Sequence, residues 1–475
     1  MKAGILLDNP IELVREFVNA REAQLGRPLY AAVKTFGCQM NAHDSEKLEA
    51  MIISMGYQLT PDERNADLVL INTCCVRENA ENRLYGHLGI MKGVKSGNPE
   101  MKLAVCGCMT QQDAVAETIM RNYKQVDIVF GTFNLHRFPN LLLASLESGS
   151  FVIDIWKEPD ETDLPETQHR HFVKKASVNI MYGCDNFCSY CIVPYVRGRE
   201  RSRHVNDILE EIKRQAADGA VEVMLLGQNV NSYGQSGRYT KGYASPESKV
   251  SFSDLLNRVC EIDGIERIRF MTSHPKDLSE DLIKTMGGQP KVCKHIHLPV
   301  QSGSSRILKL MNRHYNKESY LDLTRRMKES VPNIALTTDI IVGFPGETED
   351  DFEDTLDLAK SVRFSGVFTF IYSVRSGTAA AAMGNQVPEV VVKERFNRLL
   401  SVVNPIILEE NQKHIGKALT VLAESVSPSN PSMLTGRADN NLLVHFAADK
   451  ALINHFVNVK ITGCKTFYLI GAEAT

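Results

Sequence analysis

The sequence predicts an α/β protein in three parts: an N-terminal doubly wound parallel-sheet domain, a central open (β/α)6 partial barrel and a small C-terminal all-β barrel. Three observations carry this. Apolar runs ending in cysteine recur at steps of 36 and 34 residues through Cys38, Cys74 and Cys108, about the length of one strand–helix–strand unit. Six strand-like runs then alternate with helical patterns between residues 178 and 372. Beyond Asn404, short apolar runs are split by Ser-Pro-Ser-Asn-Pro-Ser and Gly-Arg-Ala-Asp-Asn-Asn, the texture of a β module. A chain of 475 residues is also too long for a single core.

Taken in order, residues 1–27 are an extension in which Pro10 opens an amphipathic stretch through Ile11, Leu13, Val14, Phe17 and Val18; no function is read in it. Residues 28–144 hold the three repeated units. Strands of a parallel sheet present their carboxyl ends on one edge, so Cys38, Cys74 and Cys108 should converge there on a second three-cysteine cluster. Cys75 is expected on the opposite face from Cys74, and Cys106 on the face of Cys108 but deeper in the strand; both read as core or wall. Residues 145–169, with Pro159, Pro165 and several acids, read as a linker. Residues 170–405 carry the runs Val178–Tyr182, Val221–Leu226, Arg267–Thr272, His295–Val300, Leu336–Val342 and Val367–Tyr372. Helical patterns lie between them, such as His204–Ala217 stopped by Gly219, and Glu349–Val362. Six units rather than eight leave a barrel open. Residues 406–475 form the β module, with strands expected at Leu419–Ala423, Leu442–Phe446, Val457–Ile461 and Phe467–Ile470.

A formal charge of −3 excludes a chain that is basic all over, so any nucleic-acid contact must come from local patches. No run of some 18 apolar residues exists, and Met1–Pro10 lacks a basic start followed by an apolar stretch. The 11 cysteines are therefore expected to be reduced and cytoplasmic, available for metal rather than disulfides, with no membrane contact.

The most specific chemistry lies in Gly183–Ile192, where Cys184, Cys188 and Cys191 make a C-x3-C-x2-C triplet. Three thiolates hold three irons of a 4Fe–4S cluster and leave the fourth open to a small molecule. Structural zinc prefers four ligands in paired C-x2-C spacings, and no partner pair lies nearby. The loop follows the first barrel strand, where barrels of this type place their sites. Other strand ends are equipped too: Gly227, Gln228 and Asn229 after the second run, Gln301 after the fourth, and Asp339, Gly343 and Pro345 at the fifth. With Tyr190 from the loop itself they are expected to form a cofactor pocket. Arg197, Arg199, Arg201 and Arg203 follow the loop and suggest phosphate contacts; Arg437, Asn440 and Asn441 offer a second surface, with Lys460 and Lys465.

Together these residues resemble the methylthiotransferase family of radical S-adenosylmethionine enzymes, from about Arg27 onward. The stretches that carry the likeness are Thr35–Asn41, Asn72–Ala80, Gly107–Met109, the cysteine loop with Pro194 and Arg197-Gly-Arg-Glu, Leu226–Asn229, Thr272–Pro275 and Gly436–Asn440. Departures occur at Tyr372–Ala379 and Met311–Tyr315, neither expected to touch a cysteine. The resemblance implies a 4Fe–4S cluster with S-adenosylmethionine at Cys184, Cys188 and Cys191, an auxiliary sulfur-carrying 4Fe–4S cluster on Cys38, Cys74 and Cys108, and a TRAM-type RNA-binding barrel. It implies methylthiolation of C2 of N6-isopentenyladenosine at tRNA position 37, beside the anticodon. It also implies two S-adenosylmethionine molecules per reaction and an electron-donor protein; a monomer is expected. The alternatives are a sibling acting on threonylcarbamoyl-adenosine or a ribosomal-protein aspartate, and a non-enzymatic iron–sulfur RNA-binding protein.

Anaerobically reconstituted protein is expected to be brown and to absorb near roughly 400 nm, as iron–sulfur chromophores do. A colourless, zinc-loaded protein would defeat the reading of both trios.

Overall fold

The structure, a computed structural model, describes residues 9–75, 78–159, 169–240 and 249–474. The first eight residues of the extension, Val76 and Arg77 of the Asn72–Ala80 stretch, and Pro165 of the linker lie outside the described residues.

The N-terminal domain is a parallel sheet of β1 (Tyr30–Phe36), β2 (Gln58–Leu59), β3 (Leu68–Thr73), β4 (Lys102–Gly107), β5 (Ile128–Phe130) and β6 (Val152–Asp154), in the order β2-β1-β3-β4-β5-β6. Every residue of β3 is buried, because helices cover both faces. Leu68 and Leu70 face one core with Val14, Val18 and Phe138; Val69 and Ile71 face the other with Leu84 and Leu88. Val14 and Val18 come from the helix Pro10–Leu25, so the extension is part of this core. Val152–Asp154, read as linker, supplies the sheet's outer strand through pairing with β5.

Cys106 and Cys108 do not share a face. Gly107 has φ +107°, and the chain turns there, leaving Cys106 in the core of Leu70 and Cys108 in that of Val69.

The central domain comprises β7 (Lys175–Asn179), a small hairpin of β8 (Met181–Tyr182) and β9 (Arg201–Ser202), then β10 (Glu222–Leu226), β11 (Arg267–Met271), β12 (His295–His297), β13 (Ala335–Val342) and β14 (Gly366–Ile371). Two parallel three-stranded sheets, β7-β10-β11 and β12-β13-β14, meet where Ile268 bridges Val292 and the Cys293 amide donates to Ile268 at 3.0 Å. Among the described residues no pairing closes β14 onto β7, as six units predict.

The C-terminal module is a closed barrel of β15 (Ala418–Ser427), β16 (Asn430–Ala438), β17 (Leu443–Ala447), β18 (Phe456–Cys464) and β19 (Leu469–Glu473). Asn430–Ala438, expected to be largely turn, is a strand. Gly436 admits it, since a Cβ there would lie 2.0 Å from the Leu422 carbonyl oxygen of β15. This barrel docks on the central one through two buried arginines. Arg267 donates to the carbonyls of Arg437 and Thr420 (both 3.1 Å), and Arg269 to those of Ala438 (2.7 Å) and Asp439 (3.1 Å). Glu222 balances their charge, 3.1 Å from Arg269.

Gly107→Ala should destabilise the N-terminal domain by at least about 2 kcal/mol, through left-handed strain and a Cβ only 2.3 Å from the Thr73 oxygen. A lowered denaturant midpoint of the cluster-free protein checks this.

Candidate active site

The first cysteine trio is built by strand adjacency. Cys38 lies two residues beyond β1, and Cys74 and Cys108 directly beyond β3 and β4, which pair consecutively. The Cys108 amide donates to the Thr73 carbonyl at 2.8 Å. A fully buried amide network sets the strand ends: Asn41 donates to Asn72 Oδ1 (3.1 Å) and the Thr73 carbonyl (3.2 Å), and Asn72 returns a bond to the Asn41 carbonyl (2.9 Å). Cys38 Sγ donates to Asn41 Oδ1 at 3.3 Å. Asn41 stands one helical turn after Cys38, a spacing readable in sequence; Asn72 gave no such signal.

Thiol–thiol contact sets the electrostatics. A hydrogen bond from Cys74 brings Cys38 down to about 6. A hydrogen bond from Cys75 and the charge of Arg197 bring Cys108 down to about 7, while Cys75 is pushed up. Arg197 is 6% exposed; its Nε donates to Cys108 Sγ at 3.2 Å and its other arm to Asp44 at 2.8 Å. It sits directly after the helical turn Val193–Val196 that follows the second cysteine loop, so one guanidinium joins the two sites. This corrects its reading as a phosphate contact.

The second trio hangs on the β8–β9 hairpin. Gly183 has φ +74° and a Cβ there would lie 2.2 Å from the Arg199 carbonyl oxygen, so only glycine allows this close crossing. The Cys184 amide donates to Gly198 (3.2 Å) and the Cys191 amide to Cys188 (2.9 Å). Asn186 Nδ2 points at Cys184 Sγ and Arg313 at Cys188 Sγ, each at 3.4 Å. The Met311–Tyr315 segment therefore does touch a cysteine, and Asn312 adds hydrogen bonds to the Asn186 and Phe187 carbonyls at 3.1 Å. Burial pushes the Cys184 thiol up to about 11 and Cys191 up to about 12, so they stay protonated until a metal replaces the proton.

A cavity of about 430 Å³ has in its wall Cys191 of the second trio and Cys75, which is hydrogen-bonded to Cys108 of the first. Tyr190, Gln301 and Asp339 line it. Gln301 holds its place with φ +70°, its amide on Asp339 and its carbonyl taking Ile341, each at 2.9 Å. The other expected pocket residues face elsewhere. Gly227 makes room for Met181, Gln228 donates to Met40 Sδ (2.6 Å), and Asn229 donates to Asp277 (2.7 Å). Gly343, at φ +78°, makes room for Val392, and neither it nor Pro345 is in the cavity wall.

Four arginines do not form one basic strip. Arg203 is 2% exposed, bonded to Glu211 (2.6 Å) and the Asn179 carbonyl (2.7 Å), which removes it from solvent. Arg199 is exposed over Phe187, and Arg201 is half-buried near Tyr182. Arg437, Asn440 and Asn441 build the docking turn instead of an open surface: Arg437 donates to the Asn441 carbonyl (2.8 Å), Asn440 is buried and accepts from Leu442, and Asn441 has φ +65°.

Three family models match the chain: the Radical SAM superfamily over residues 178–359, the uncharacterized protein family UPF0004 over 30–131, and the TRAM domain over 412–472. A tRNA-2-methylthio-N(6)-dimethylallyladenosine synthase of Acetivibrio thermocellus is 52% identical over 462 residues, 97% of this chain and 94% of the relative. One from Lachnoclostridium phytofermentans is 53% identical over 450 residues, 94% and 96% of the two chains. The chain belongs to the methylthiotransferase family of radical S-adenosylmethionine enzymes. In fold it is similar to the radical S-adenosylmethionine methyltransferase TsrM of Kitasatospora setae, with TM-score 0.54 and 12% identity over 74% of each chain.

Radical S-adenosylmethionine enzymes hold that cofactor and a 4Fe–4S cluster, and this methylthiotransferase's residues fit both. Cys184, Cys188 and Cys191 would hold three irons, with Asn186 and Arg313 donating to the sulfurs. The buried hydroxyl oxygens of Ser189, in the same loop, and of Tyr372, in the cavity wall with Cys191, make no hydrogen bond within the protein, and a polar ligand would satisfy such groups.

Arg197→Gln leaves Asp44 buried without its cation and should cost about 3–5 kcal/mol. It should also raise the Cys108 thiol pKa, read by alkylation rate against pH in the cluster-free protein. Arg197→Lys should not restore both, since a single ammonium does not span two partners set for a fork.

Proposed function

We propose that this methylthiotransferase adds a methylthio group to C2 of N6-isopentenyladenosine at position 37 of tRNA. The observation that carries this is two three-thiol sites, each one ligand short of a four-iron cluster and joined by Arg197, with Cys191 of one and Cys75, the hydrogen-bond partner of Cys108 in the other, in the wall of one cavity. The name of the 52% identical relative supplies the nucleoside.

C2 of adenine carries an unactivated C–H bond with no acid–base handle, so general acid–base catalysis cannot open it. When bound, S-adenosylmethionine and the clusters on the two trios supply the one-electron chemistry and the sulfur that this bond requires. The chain's own residues arrange the meeting. Arg197 and the Asn41–Asn72 network hold the Cys38, Cys74 and Cys108 edge in register with the Cys184 loop. Tyr190, Gln301 and Asp339 line the cavity beside Cys191, and Phe370 and Phe396 close it with apolar surface suited to an isopentenyl group and to excluding water.

The target base must leave its stack, which an anticodon loop allows more cheaply than a duplex. Exposed Arg199 is available to phosphate beside the cysteine loop, and half-buried Arg201 lies next to it. On the C-terminal barrel, exposed Lys465 lies two residues before Phe467, 70% exposed, a pairing suited to a single-stranded backbone and a stacked base, and Lys460 is exposed on β18. A separate protein delivers electrons, and the chain acts as a monomer. No helix among the described residues is long and apolar enough to cross a membrane.

Cys188→Ala is expected to abolish turnover, whereas Cys74→Ala should spare 5′-deoxyadenosine formation and lose sulfur insertion, measured by mass spectrometry of the two products. Methylthiolated nucleoside from the Cys74 variant would refute this division of labour. Nucleoside analysis of tRNA from a deletion strain, before and after complementation, tests the substrate against its siblings.

A further inference from the structure

We propose that Glu49, His169 and His171 form a divalent-metal site, with Zn²⁺ as its ion, that fastens the entry segment of the central domain to the helix carrying Cys38. Glu49 is 8% exposed on the helix Gln39–Ser54. The Nε2 atoms of His169 and His171 lie 2.7 and 2.9 Å from the same carboxylate oxygen of Glu49, and the three donor atoms fall within 4.8 Å of one another. Two imidazoles and one carboxylate are a recurrent zinc set, completed by a water. Partly exposed His169 and His171 leave room for that water and a path for the ion.

The surroundings are those of a ligating histidine. His171 turns its other ring nitrogen toward Glu46, 3.7 Å away, and its backbone amide donates to the same oxygen at 3.0 Å. Glu46 is in turn held by His43 at 3.3 Å. A carboxylate behind the imidazole fixes the tautomer and raises its basicity toward a metal. Arg170, between the two histidines, turns the other way and pairs with Asp218 at 2.9 Å. The His-Arg-His tripeptide thus ties the N-terminal domain on one side and the central domain on the other. Glu49 stands 11 residues along the helix from Cys38, roughly 16 Å by helical rise, so this group is separate from the cysteine sites.

The test uses cluster-loaded protein equilibrated with Zn²⁺ and dialysed into metal-free buffer, with zinc and iron counted together. Wild type should retain one zinc per chain in addition to its iron. His169→Gln/His171→Gln should retain none, with iron content and the visible spectrum unchanged. Glu46→Gln keeps all three ligands and should weaken Zn²⁺ by about 10–100-fold in chelator competition, a readout independent of the histidine substitutions. Wild type without zinc, or the double variant binding zinc equally well, would show only hydrogen-bonded ion pairs and overturn the proposal.

Discussion

Parallel pairing of β1, β3 and β4 is the constraint on which the rest of the molecule depends. Because the three strands lie side by side and run the same way, their carboxyl ends share one edge, and three cysteines far apart in sequence become neighbours. The edge carries little flexibility. Gly107 turns the chain with a left-handed φ, and the Asn41–Asn72 amides bind helix to strand end with no solvent to compete. A site that positions three ligands on strand ends inherits the rigidity of the sheet, which loop-borne ligands would lack.

The central barrel contributes its cysteines differently, from one loop whose spacing alone defines the site. What joins the two is charge. Arg197 leaves the loop's far end and places a buried cation against Cys108 and Asp44. Burying a guanidinium is tolerable only when both arms are satisfied, so its partners and the domain arrangement specify one another. The same logic governs Arg203 with Glu211, and Arg267 and Arg269 with Glu222 at the docked C-terminal barrel. Four of the seven residues read as RNA contacts were polar side chains engaged in such internal work: Arg197, Arg203, Arg437 and Asn440. A run of arginines looks alike in sequence whether it faces phosphate or spans a domain junction, because only the third dimension decides what each guanidinium meets.

The cofactor pocket shows the same division. Tyr190 lines the cavity from the cysteine loop, Gln301 from the segment beyond β12 and Asp339 from within β13, positions whose order along the chain the sequence can indicate. The sequence places Gly227 and Gly343 in a cofactor pocket, yet their missing side chains make way for Met181 and Val392. A glycine announces a close approach and says nothing of what approaches. Arg313 and Asp44 could not have been found, since their contacts with Cys188 and Arg197 cross between segments with no local pattern.

By itself the sequence determined the three-part α/β organisation, the six cysteines and the chemistry their spacing permits, because those depend on local periodicity and on ligand counts within a loop or at successive strand ends. Tertiary structure alone decided which charges turn inward, that Cys75 and Cys191 face one cavity, that β6 belongs to the first sheet and that the C-terminal barrel docks through its 437–441 turn. Those outcomes rest on pairings between residues remote in sequence, whose energies come from burial and complementary charge at a shared interface, and an interface exists only once the chain has folded.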